Sequence, residues 1–180
     1  MIACFALLIS LPQDAEGKVT AKNWKQHPAI EDVRAVYQGV TAARAARALE
    51  ERVRRAPDEC WDWYLLRLAT DTSSTARYFF RAGGGQDSTH RHAFFYDTKG
   101  TVRFALLRGA ATNGSSIETR IWFDGEGKEL YRTNQRRGPG WTWISGDPAM
   151  IIRDPKALFR EGRSECVLEP PVRPNARDEG

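Results

Sequence analysis

The sequence predicts an α+β fold: an N-terminal helix packed on a curved antiparallel meander of about six strands, followed by a short C-terminal helix. Three observations carry this. Ile30, Val33, Tyr37 and Val40 recur at helical spacing along one stripe. From Cys60 onward the hydrophobic period changes to alternation, punctuated by turn residues. Asp154-Pro155 then offers a new helix start, running to Arg160.

Each element has its own signals. His27-Pro28 opens the first helix, because proline fits a first turn that has no use for its missing N–H. Glu31 and Asp32 place negative charge at the positive end of the helix dipole. An alanine-rich stretch carries the helix onward, with Leu49 and Val53 continuing the buried stripe, until Pro57 ends it. Cys60–Thr70, Thr75–Arg81, His90–Tyr96, Thr101–Arg108, Ser116–Phe123 and Lys128–Thr133 read as strands. Gly83-Gly84-Gly85 reads as a flexible loop. Asp97-Thr98-Lys99-Gly100, Asn113-Gly114 and Asp124-Gly125-Glu126-Gly127 read as tight turns. The pattern leaves a half-open wrap and a closed barrel equally open.

The chain has 180 residues, 41% hydrophobic and 11% aromatic, enough for one domain with a core. Lys and Arg number 27 against 23 Asp and Glu, a net charge of +4. This mild basicity comes without any nucleic-acid reader motif, so no nucleic-acid partner is expected; an acidic protein or small ligand suits the charge better.

Met1–Leu11 is uncharged and apolar and gives way abruptly to the polar run from Pro12. That length suits a signal-peptide core and falls short of the about 20 residues a membrane span needs. The expected organisation is a leader over 1–17, a single domain over 18–168 and a disordered tail over 169–180, in an exported, periplasmic or secreted protein. A misplaced start would instead leave Cys4 as a lipid anchor. Removing the leader leaves Cys60 and Cys166, which an oxidising compartment would join in a disulfide. Such a bridge closes a loop of about 100 residues and stabilises by about 4–5 kcal/mol in the chain-entropy account.

Phe95-Tyr96-Asp97-Thr98-Lys99-Gly100 and Trp122-Phe123-Asp124-Gly125-Glu126-Gly127 share an aromatic pair, an Asp and a Gly three places later. The pattern resembles the hairpin signature of tyrosine–aspartate repeats in secreted bacterial shell proteins, in two copies instead of an array. Turn chemistry alone accounts for it, since Asp caps the turn and Gly supplies positive φ. The rest of the chain resembles uncharacterised exported bacterial proteins, a likeness that transfers no site.

Several constellations could carry chemistry. His90 and His92 share one face of a strand, at a spacing that suits two metal ligands, with Asp87 or His27 as a third; a solvated sheet edge is the plainer reading, and no metal or cofactor is expected. Asp87-Ser88-Thr89-His90 reads as a polar turn more readily than as a hydrolase triad, because no nucleophile elbow is present. Trp61 and Trp63 read as core, whereas Trp141 and Trp143 sit in a Gly-rich loop suited to binding. Arg91, Arg103, Glu118 and Arg120 fall on one sheet face with arginine in excess, which suits a carboxylate or polyanion. The sequence thus points to a non-catalytic binding or interaction protein of the cell envelope, presenting loops 83–89, 109–115 and 134–147. Its ligand-binding candidates are Trp141, Trp143, Arg103, Arg120, His90 and His92. A hydrolase-type enzyme around His90 and His92, or a lipid-anchored structural envelope protein, are the rival classes.

Overall fold

In the computed structural model, residues 17–56, 63–139 and 150–161 are described. Helix α1 spans Pro28–Ala45 and α2 spans Pro155–Glu161. Between them lie β1 (Glu50–Ala56), β2 (Trp63–Thr70), β3 (Ala76–Gly84), β4 (Ser88–Tyr96), β5 (Val102–Ala111), β6 (Ser116–Phe123) and β7 (Glu129–Arg137). The strands pair antiparallel in sequence order, β1 to β7, and form one open sheet whose edges are β1 and β7. Both edges are rich in charge, which discourages pairing with another chain.

The two helices lie on opposite faces, so the middle strands are buried from both sides. That is why they read as continuous apolar runs such as Phe94-Phe95-Tyr96 and Ile121-Trp122-Phe123. Under α1, Ile30, Val33 and Val40 bury against Ala69, Tyr78, Phe95, Phe104 and Trp122. Each fully buried aliphatic side chain of this kind contributes about 1.5–3 kcal/mol. On the other face Leu66, Phe79, Phe94, Leu107 and Ile121 pack with Ile151, Ile152 and Leu158. Three hydrogen bonds fasten α2 and the segment before it there: the buried Tyr96 hydroxyl donates to the Ile152 carbonyl at 2.8 Å, and Arg54 donates to the carbonyls of Phe159 and Arg160 at the helix C-terminus.

One device recurs at one end of the sheet. Asp71, Asp97 and Asp124 each open a turn, and one Oδ1 accepts from the backbone N–H groups two and four residues on, at 2.9–3.0 Å. The fourth residue of each turn has positive φ: Ser74 at 60°, Gly100 at 80° and Gly127 at 77°. The arginine after each of the first two turns reaches sideways to the last carbonyl before the next one. Arg77 donates to Tyr96 O and Arg103 to Phe123 O. Arg153 donates to Gly127 O at the third turn. The two copies visible in the sequence are therefore part of a set of three.

Several expectations are corrected. The long helix stops at Ala45, and Arg47 takes the left-handed conformation at φ 56°. Residues 50–56, expected as helix, form β1 because their backbone pairs along the whole of β2; Val53, expected in the buried stripe, is 48% exposed. The strand count is accordingly seven. Gly83 and Gly84, expected in a flexible loop, are buried in β3: a Cβ on Gly84 would meet Thr89 Cγ2 at 2.8 Å and Ser88 O at 2.9 Å, so only glycine lets the hairpin close. Tyr37, on the predicted helix stripe, sits at the rim of the buried face and is 39% exposed.

The leader, Cys4, Cys60, Cys166, Trp61, the Trp141–Trp143 loop and the C-terminal tail lie outside the described residues. Among the described residues no helix is long and apolar enough to cross a membrane.

Candidate functional site

Helix α1 covers only part of its face of the sheet, and its course follows from three aromatic contacts. Trp24, just before it, packs on Trp122 of β6 and Tyr131 of β7. Midway, Tyr37 packs on Phe95 of β4 and Phe104 of β5. Near its end, the Arg44 guanidinium lies 3.7 Å from the Tyr78 ring centroid on β3 and pairs with Glu51 of β1. The helix therefore runs across the strands, and a trough opens along its flank.

Register defines the trough's floor. Arg67, Phe80, Ala93, Leu106 and Arg120 stand side by side on β2 to β6, each opposite the next. Phe80, Ala93 and Leu106 are partly exposed, an apolar strip with an arginine at either end. The adjacent row outward is Leu65, Ala82, Arg91, Arg108 and Glu118. Two cavities mark the ends. One, of about 340 Å³, lies between Trp24, Tyr37, Phe104, Leu106 and Trp122 under Arg34, Arg108 and Arg120. The other, of about 380 Å³, lies between Leu65, Tyr78 and Phe80 under Arg67 and Arg91.

Positive charge dominates both ends. Glu118 accepts from Arg108 at 2.7 Å and from Arg120 at 2.6 Å. Partial burial would raise the Glu118 pKa, but the hydrogen bonds and charges of these two arginines outweigh it and hold the carboxyl below its ordinary value. With Arg34 stacked over Trp24, the first cavity keeps three cations to one anion. At the other end Arg67 lies 3.5 Å from Glu51, which Arg44 already holds at 2.9 Å. Arg91 stands directly opposite Arg108, like charge against like, an arrangement that costs stability unless an anion joins them.

The two histidines lie on the other face. His90 and His92 share that face as their spacing predicts, with ring centroids 5.1 Å apart. The plainer expectation of a solvated edge is corrected, because β4 is the central strand and the residues are shielded from both sides: His92 is 6% exposed. Arg81, also buried, donates from Nε to His92 Nδ1 at 3.1 Å. An acceptor Nδ1 means a neutral ring with its proton on Nε2. Burial first, then the Arg81 charge, lowers the His90 pKa to about 4 and that of His92 well below its ordinary value; the His90 charge adds to the latter. Among the described residues no three His, Cys, Asp or Glu side chains gather as metal ligands. His27 is occupied as the cap of α1, its Nδ1 accepting from Ala29 N while Nε2 bonds Gly17 O at 2.7 Å.

The structure brings together part of the predicted site. Arg91, Glu118 and Arg120 share the trough face. Arg103 does not join them, because it stands an odd number of residues from Leu106 and Arg108 on β5 and so leaves their face; it pairs with Asp97 at the hairpin end at 3.6 Å. The loops expected to present a ligand are shorter than their sequence suggests, since 83–84, 109–111 and 134–137 belong to strands. Sequence reasoning missed Arg34, Arg67, Arg108, Trp24 and Leu106. The available signal was the shared strand parity of Arg91, Leu106, Arg108 and Arg120, which becomes a site only once register and the helix crossing are known. No protein-family description, curated protein or solved structure matches the chain.

Proposed function

We propose that this chain is a non-catalytic binding protein of the cell envelope, and that it takes an acidic ligand with an apolar body in the trough beside α1. One observation carries the reading: partly exposed Phe80, Ala93 and Leu106 form a floor ringed by arginines that outnumber the nearby carboxylates. An apolar strip of this kind attracts hydrocarbon or aromatic surface, and guanidinium groups fix a carboxylate, sulfonate or phosphate by charge-assisted bonds. Export is part of the proposal and stands on the apolar leader.

Titration with anilinonaphthalene sulfonate, an aromatic body with one acidic head, tests the site directly. Saturable fluorescence enhancement is expected, competed away by dodecanoate and weakened in Arg120→Gln. Equal binding by the wild type and by Arg108→Gln/Arg120→Gln would remove the trough as the site. The intact mass of protein recovered from its native host tests export; a mass that retains Met1–Leu11 would overturn it. The hydrolase reading places its histidines across the sheet from this trough, so an activity lost in His90→Gln with ligand binding intact would separate the two.

A further inference from the structure

We infer that the ligand is an elongated dianion: two acidic heads joined by an apolar body, lying across the strands from Arg120 to Arg67. The inference deepens the binding reading above and rests on it. A single-headed ligand would need one basic end and one apolar end, but both ends of this trough are basic. Arg34 and Arg120 stand over the cavity beside Trp122 and Arg67 over the cavity beside Tyr78, while Arg91 and Arg108, which line one cavity each, face one another midway along the outer side. Between them the floor is apolar without interruption, since Phe80, Ala93 and Leu106 are consecutive across the ladder. Arg67 and Arg120 are four strands apart, about 19 Å at the backbone given the spacing between neighbouring strands. The α1 flank walls the whole length, from Arg34 and Tyr37 at one end to Arg44 over Tyr78 at the other. The orientation follows: the body lies parallel to α1, perpendicular to the strands, with each head among guanidinium groups.

The chemistry dictates its own control. Dodecanedioate and its monomethyl ester have the same length and body, and differ only in the charge of the second head. Calorimetric titration of the full chain should show the diacid bound about tenfold or more tightly than the ester, as expected for one further charge-assisted contact. Arg67→Gln should bring the two affinities together by weakening the diacid far more than the ester. Across diacids from octanedioate to hexadecanedioate the affinity should peak at an intermediate length, where both heads reach their arginines. Equal affinity for diacid and ester in the wild type, or affinity that rises with every added methylene, would overturn the two-headed ligand and leave the binding trough standing. No binding of any of these compounds would overturn both.

Discussion

Lowering the pH from 6.5 to 4 should destabilise this fold through two buried histidines over most of that range. The perturbation acts on His90 and His92, which are neutral in the folded chain because burial and Arg81 disfavour their charged forms. In the unfolded chain both return to the ordinary value of 6.5 and take up protons below it. Between 6.5 and about 4 the unfolded state therefore binds more protons than the native one, and unfolding free energy falls with pH. For His90 the drop from 6.5 to about 4 is worth about 3 kcal/mol at 1.36 kcal/mol per unit. His92 adds to it in the same direction. That total is a large part of what a domain of this size has in hand. Glu118 contributes only at lower pH, since its stabilisation is lost below its unfolded value of 4.5. Urea unfolding followed by far-ultraviolet circular dichroism at a series of pH values reads the effect, and His90→Gln should flatten the slope by about half or more. Stability unchanged between pH 6.5 and 4.5 in the wild type, or the same slope in His90→Gln/His92→Gln, would refute the reasoning.

Further expectations concern the scaffold. Asp97→Ala removes two backbone bonds and the Arg103 pair, so it should cost about 2 kcal/mol in urea unfolding; Asp124→Ala, whose carboxylate makes the same two bonds with no arginine pair among the described residues, should cost less. Tyr96→Phe strands the Ile152 carbonyl and should cost about 1–3 kcal/mol, with faster amide exchange in α2 and little change in β7. Gly84→Ala forces Ser88 and Thr89 aside and should destabilise by about 1–3 kcal/mol, which thermal unfolding would show.

Local rules made much of this architecture readable. Pro28 and Pro155 mark true helix starts because proline suits the first turn wherever it falls. Ser116–Phe123 is a strand with the expected limits, bounded by turns that Asn113-Gly114 and Asp124-Gly125 fix chemically. Where reading failed, a distant partner decided. Glu50–Ala56 consists largely of good helix formers, yet it is a strand because β2 offers a ladder of matching length. The Asp71 turn escaped notice because Ser74 holds the left-handed position that glycine holds in its two counterparts. Arg103 was misplaced because the register between strands is not legible in one sequence: Arg91 meets Arg108, which lies an odd number of residues from Arg103. His90 and His92 were placed on one face correctly, but whether that face meets water depended on the strands to either side. The arginine-rich face was visible by parity; its apolar floor and its wall required knowing where α1 crosses.

Amide chemical-shift mapping of the isotopically labelled chain during titration with dodecanoate tests the trough most directly. The largest shifts are expected on residues 33–37 of α1 and on the paired segments around Phe80, Ala93, Leu106 and Arg120. Shifts confined to the opposite face around His90, His92 and Leu107, or none at saturating ligand, would contradict it.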